Sequence, residues 1–184
     1  MKRYFKTLSS LVFLLLLTFS WNSCDSLNSL ALNIPFSINV ELKGTGTSLS
    51  DTEPACLTTE SDTYEKYSNK INSLKFVAAA FRTISVSPSN LSGDITIKLL
   101  NDSGDELFSY TKYNATPADF IKPNLPFILQ LTQNQIDFIN YYLDDVLHGG
   151  ACFTAIVSVD NLNGNPPYTL KGAIDMVIEA DTKL

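Results

Sequence analysis

The sequence predicts a mainly β fold, an antiparallel β-sandwich of immunoglobulin-like or jelly-roll-like type with about two short helices. Apolar and polar residues alternate with a period of two in several segments, as in strands with one buried and one solvated face. The connections between these segments are short. Strands do not alternate regularly with helices, which a doubly wound α/β sheet would require.

The first predicted strand runs from Ile34 to Lys43. Every second residue is apolar, and the set is Ile34, Phe36, Ile38, Val40 and Leu42. Pro35 lacks a backbone N–H, so we expect this strand at a sheet edge or Pro35 at its start. The segment from Gly44 to Glu60 is predicted to be a polar loop.

The middle of the chain predicts a short helix and then a hairpin. Apolar residues at helical spacing predict the helix over about 62–72, with Ser61 or Asp62 as its cap. The next β-like segment changes phase between Phe76 and Phe81, which indicates a bulge. Strands flank the turn at Asn101–Asp105.

The second predicted helix has the clearest signals. Thr132 and Gln135 match a capping box, and Gly149 and Gly150 provide a stop. Its inward stripe consists of Ile136, Ile139, Leu143 and Val146. Two more alternating strands follow, one from Phe153 to Val159 and one from Tyr168 to Ile178.

The N-terminal segment has the pattern of an export signal. Lys2, Arg3 and Lys6 precede the unbroken apolar run from Leu11 to Leu17. This run is too short to span a bilayer comfortably and ends in polar residues. We therefore predict a signal peptide over residues 1–23.

Cys24 directly follows this segment and Ser23, and the arrangement resembles the lipobox of bacterial lipoproteins. Trp21 and Asn22 depart from the usual lipobox residues. The resemblance covers only the leader. It implies that Cys24 carries lipid, palmitate among its acyl chains, and becomes the mature N-terminus. Ordinary cleavage after Ser20 is the alternative.

The lipoprotein resemblance divides the chain into a signal peptide, a lipidated tether over residues 24–33 and a sandwich domain over residues 34–184. Each buried CH₂ contributes about 0.8 kcal/mol to membrane binding, so several acyl chains hold a protein firmly. The expected location is the cell envelope, at the outer membrane or on the periplasmic face.

The chain has three cysteines. If Cys24 carries lipid, Cys56 and Cys152 are an even pair in an oxidising compartment, which predicts a disulfide. The alternative is two free buried thiols.

The charge of the chain argues against nucleic acid as a partner. The full sequence carries a net charge of -6. Without Lys2, Arg3 and Lys6, ten basic and nineteen acidic residues remain, which gives -9. An acidic surface repels phosphate backbones.

No motif in the sequence predicts a catalytic, cofactor or metal site. The glycines at Gly44 and Gly46 lack the third glycine and the helix of a dinucleotide loop. His148, the only histidine, is expected to cap a helix or lie at the surface rather than pair with Cys152. The turn at Asn101–Glu106 carries oxygen ligands of the kind that calcium prefers, without the EF-hand spacing, and Gly104 alone also explains a hairpin turn. The turn at Asp160–Asn165 is a second polar turn where the alternatives are a metal site and a plain turn.

We therefore expect a lipid-anchored envelope protein that acts as a non-enzymatic binding or structural module. Its partners would be the membrane, through Cys24, and an envelope protein or glycan. The alternatives are a glycan hydrolase that uses carboxylates such as Asp137, Asp144 and Asp145, and a small-ligand carrier with an apolar cavity.

Overall fold

A computed structural model describes residues 29–116, 126–147 and 149–183. Within these residues the chain forms eight strands and three helices. The strands are β1 Ser29–Gly44, β2 Leu49–Cys56, β3 Ile71–Ser87, β4 Ser92–Leu100, β5 Glu106–Ala115, β6 Phe127–Ile128, β7 Cys152–Asn163 and β8 Tyr168–Lys183. The helices are α1 Leu57–Glu60, α2 Asp62–Tyr67 and α3 Gln133–Asp145, and a 3-10 turn, Ser68–Lys70, follows α2.

The strands form two four-stranded sheets, one in the order β1-β8-β3-β6 and one in the order β2-β7-β4-β5. Strand β1 pairs with β8, β2 with β7, β3 with β6 and β4 with β5, and every pairing is antiparallel. This nested pairing is a long hairpin folded over itself, which is the jelly roll. The predicted antiparallel β-sandwich is confirmed, and the strand order selects the jelly roll over the immunoglobulin-like alternative.

The core lies between the sheets because alternating residues of each strand point inward. Buried residues of β1 and β8 face those of β4 and β7. The facing set includes Ile34, Phe36, Ile38, Val40, Leu170, Ile174, Met176, Ile95, Ile97, Phe153 and Val157. The rings of Phe36 and Phe153 lie 5.5 Å apart across the two layers. At Gly172 the chain has no room for a side chain, because an added Cβ would lie 2.4 Å from Phe81.

Three predicted boundaries differ from the structure. The predicted polar loop at 44–60 contains β2, an edge strand that pairs only with β7. Strand β1 begins at Ser29, inside the predicted tether at 24–33, because its first residues pair with the end of β8. The predicted helix at 62–72 ends at Tyr67, since Ile71 already pairs with Thr182.

Helix α3 follows the sequence prediction closely. The Thr132 hydroxyl accepts a hydrogen bond from the Gln135 N–H, and the Gln135 side chain accepts one from the Thr132 N–H at 2.9 Å. This capping box satisfies two of the donors that a helix start leaves free. The inward stripe is confirmed, because Ile139 and Leu143 are buried in the core.

Helix α3 also closes one open side of the sandwich. Strand β6 pairs with Ala80 and Phe81, and the Leu129 N–H just after it donates to the Ala79 carbonyl at 2.9 Å. Among the residues that the structure describes, this covers little of the 17-residue β3. Farther along β3, the Asn140 side chain accepts a hydrogen bond from the Phe76 N–H at 2.7 Å. In the other sheet, Gln135 donates to the Ser109 carbonyl on β5 at 3.1 Å. Side chains of α3 thus satisfy edge groups that an uncovered sheet would expose.

We expect the variant Asn140→Ala to lower the free energy of unfolding by about 1–3 kcal/mol, because the Phe76 N–H would lose its acceptor in a partly buried place. Urea denaturation of the oxidised protein measures this. The control Asn134→Ala changes an exposed residue of the same helix and gains the same helix propensity. Equal stabilities for the two variants would show that the hydrogen bond contributes nothing.

Candidate functional site

A disulfide joins Cys56, the last residue of β2, to Cys152, the first residue of β7. The two residues lie directly opposite each other in the pairing of β2 with β7. Their Cα atoms are 4.0 Å apart, and 96 positions separate them in the sequence. The bond therefore closes a long loop, which restricts the unfolded chain strongly.

Two tyrosines of the helices form hydrogen bonds with backbone groups, one with Cys152 itself and one with the segment just after α3. The Tyr142 hydroxyl donates to the Cys152 carbonyl at 2.6 Å and accepts from the Cys152 N–H at 3.1 Å. The Tyr64 hydroxyl on α2 donates to the Leu147 carbonyl at 2.9 Å. Burial raises the pKa of both tyrosines. Both hydroxyls therefore keep their protons and stay donors at neutral pH.

A polar cleft of about 480 Å³ lies where β4, β5 and β7 meet. Asp94 is its one carboxylate, and Asn114, Asn161 and Asn163 supply amides. Asp94 accepts hydrogen bonds from the Asn114 N–H and from the Asn161 side chain, each at 2.7 Å. Both hydrogen bonds lower the pKa of Asp94, and the bond from the Asn114 backbone contributes the larger part.

The backbone around Asp94 explains why its carboxylate has these partners. The pairing of β4 shifts register against both neighbouring strands beside Asp94, and such bulges redirect side chains. Asn114 and Asn161 have φ angles of 50° and 52°, in the left-handed region that asparagine tolerates best after glycine. Each Asp94 oxygen accepts a hydrogen bond, so the main role of this carboxylate is to hold Asn114 and Asn161 in their left-handed conformations.

A second cleft, of about 280 Å³, lies between the β4–β5 turn and α3. It combines carboxylates with aromatic rings, and its walls include Asp102, Ser103, Asp105, Phe138, Tyr141 and Asp145. Phe138 is 43% exposed and Tyr141 is 72% exposed. Tyr142 lies at the cleft as well, held through its hydroxyl by Cys152.

The outer face of the first sheet carries ion pairs. Arg82 on β3 contacts Asp175 on β8 through two nitrogens, at 2.7 and 3.0 Å, and Ser37 on β1 also donates to Asp175. Glu41 contacts Lys171 and Lys43, each at 2.8 Å, and these contacts, the one with Lys171 most, lower the pKa of Glu41. These pairs link neighbouring strands across a solvated face, so we assign them a structural role.

The predicted site residues fall in different parts of this structure. Cys24 and His148 lie outside the described residues. The Asn101–Asp105 segment is the β4–β5 turn, closed by Asn101 and Asp105. Over 29–116, 126–147 and 149–183, no group of three His, Cys, Asp or Glu side chains could hold a metal ion. None of the helices in these ranges is both long and apolar enough to cross a membrane.

Sequence reasoning missed both clefts because each joins distant segments. Asp94 and Asn161 are 67 positions apart, and the turn at Asn101–Asp105 meets α3 only in the folded chain. One signal was present: the 160–165 segment is rich in Asp and Asn, and Asn161 does help to form the first cleft.

No protein-family model matches the sequence, and no curated protein matches it either. A chain of the Macrobrachium rosenbergii nodavirus structure is 12% identical with a TM-score of 0.44, over 88% of this chain and 55% of that chain. A tobacco necrosis virus chain is 15% identical with a TM-score of 0.41, over 85% of this chain and 97% of that one. This chain thus spans about half the length of the nodavirus chain.

We expect the variant Asp94→Asn to be less stable than the native protein at neutral pH, and the difference to vanish in acid. A carboxyl whose pKa is lowered by folding stabilises the fold above its unfolded pKa, near 4, and this stabilisation is lost as the pH falls through the folded pKa. Thermal unfolding between about pH 2 and pH 7 measures the gap in Tm.

The matched control for Asp94→Asn is Glu53→Gln, an exposed acid on β2. At neutral pH its Tm should lie close to that of the native protein, because the side chain is exposed. If the Asp94→Asn gap is the same at acid and neutral pH, the carboxylate does not hold the two asparagines as described.

Proposed function

We propose that this protein is a lipid-anchored cell-envelope protein whose jelly-roll domain is a non-enzymatic binding or structural module. The observation that supports this most is the pairing of Cys56 with Cys152. It uses two of the three cysteines and leaves Cys24 as the one outside the bond. Cys24 is also the one that directly follows the leader.

A disulfide supports export because bonds of this kind persist in oxidising compartments and are rare in the cytosol. The cross-strand bond lies within the fold and joins β2 to β7. The basic and apolar leader over residues 1–23 supports export independently of the disulfide.

The spacing between Cys24 and β1 supports a domain held close to the membrane. Strand β1 begins at Ser29, so Cys24 and the sheet are five residues apart. Even a fully extended chain of that length spans only about 17 Å. Lipid on Cys24 would therefore hold the sandwich next to the bilayer surface.

Neither Glu41 nor Asp94 suits the role of the proton donor in a glycan hydrolase. A glycan hydrolase, the main alternative, needs a carboxylic acid whose pKa is raised so that it can donate a proton. Glu41 and Asp94 have pKa values shifted in the opposite direction, by lysines and by hydrogen-bond donors. The cleft around Asp94 is polar, whereas a carrier of apolar ligands needs an apolar cavity.

We expect the variant Cys24→Ser to move the protein from the membrane fraction to the soluble fraction, because it removes the atom that would carry lipid. Fractionation and immunodetection in a bacterium that processes lipoproteins measure this. Ser26→Ala is the control, since it changes a nearby residue and keeps the cysteine. We also expect the intact mass of the native protein to show Cys24 as an acylated N-terminus.

Two results would contradict the anchor. One is a Cys24→Ser protein that stays with membranes as completely as the Ser26→Ala control. The other is a native N-terminus without fatty acid.

A further inference from the structure

The outward face of α3 exposes two large rings where a surface helix normally carries polar groups. Phe138 and Tyr141 are three positions apart, so they lie on the same side of the helix. Both line the cleft that α3 forms with the β4–β5 turn. We call this surface, with the carboxylates of Asp102, Asp105 and Asp145, the acidic aromatic cleft.

The charged side chains among the described residues that line the acidic aromatic cleft are all carboxylates. Helix α3 and the turn at 101–105 contain five aspartates and no lysine or arginine. Within the part of the chain that the structure describes, none of these five forms an ion pair. The lysine on β4, Lys98, contacts Glu106 at 3.0 Å instead. The negative charge is therefore available to a partner.

The chemistry of the cleft favours an organic cation. A bare metal ion does not fit, because the described acids do not converge in a group of three. Nucleic acid would be repelled. An arginine or lysine side chain meets both features, because its charge is attracted by the carboxylates and by the faces of aromatic rings. Arginine is the better fit, since its flat guanidinium stacks on rings and binds carboxylates through two nitrogens.

We propose that the acidic aromatic cleft binds an arginine-bearing segment of another protein. The cationic side chain lies against Tyr141 and Phe138, and its nitrogens donate to Asp102, Asp105 or Asp145. This names the partner class of the binding module and rests on that proposed role. It is independent of lipid on Cys24, since every residue of the cleft belongs to the folded domain.

The test is binding of a fluorescent peptide of four arginines to the purified full-length protein, measured by anisotropy at low salt. The variants Tyr141→Ala and Asp145→Asn should each weaken binding by about threefold or more, the scale of one exposed cation–π or ion contact. Tyr113→Ala is the aromatic control, because Tyr113 on β5 is also 72% exposed. Glu179→Gln, exposed on β8, is the charge control. Both controls should bind like the native protein.

Several outcomes would overturn the proposal. If the cleft variants and the controls weaken peptide binding equally, the peptide is attracted by the overall negative charge of the protein and not by a specific site. Unchanged binding by Tyr141→Ala and Asp145→Asn would exclude the cleft directly. The native protein could instead bind neutral N-acetylglucosamine oligomers and not the peptide. If the variant Tyr141→Ala then loses the oligomer binding, the cleft is a glycan site. Thermal unfolding checks that each variant is folded, and Cys24→Ser should bind the peptide unchanged, so the anchor is tested separately.

Discussion

The contact of α3 with both sheets is the constraint on which the rest of this structure depends. Among the described residues, β6 pairs with only two of the 17 residues of β3, and α3 covers a further part of that edge. Asn140 and Gln135 form side-chain hydrogen bonds to the edges of β3 and β5, and Tyr142 bonds to Cys152 at the start of β7. Each such bond contributes only about 1 kcal/mol net, but an unmatched buried group costs as much or more.

The same helix supplies a rigid base for the proposed binding surface. Its inward residues, Ile139 and Leu143, are buried, and its outward residues, Phe138 and Tyr141, are exposed. Tyr142 binds both backbone groups of Cys152, whose sulfur is bonded to Cys56. The bonds at Cys152 therefore fix α3, β7 and β2 relative to one another. The backbone that carries Phe138 and Tyr141 therefore has little conformational entropy to lose on binding.

The sequence predicts those elements whose signals are local. The capping box at Thr132 and Gln135 and the alternation from Tyr168 to Ile178 depend on neighbours in the chain, and both are correct. The sequence does not predict strand β2, because it is an edge strand that pairs on one side only and contains Pro54. The sequence does not predict the two clefts either. Asp94 contacts Asn161, and the 101–105 turn contacts α3, only through long-range packing. The lipid on Cys24 stays a prediction.

Hydrogen exchange of two amides tests the role of α3 most directly. The N–H groups of Phe76 and Cys152 bond to side chains of α3 rather than to a neighbouring strand. If α3 closes the sandwich, both amides should exchange as slowly as amides in the centre of β4, such as that of Ile97. Exchange of both at the rate of exposed loop amides would show that the helix does not close the sandwich.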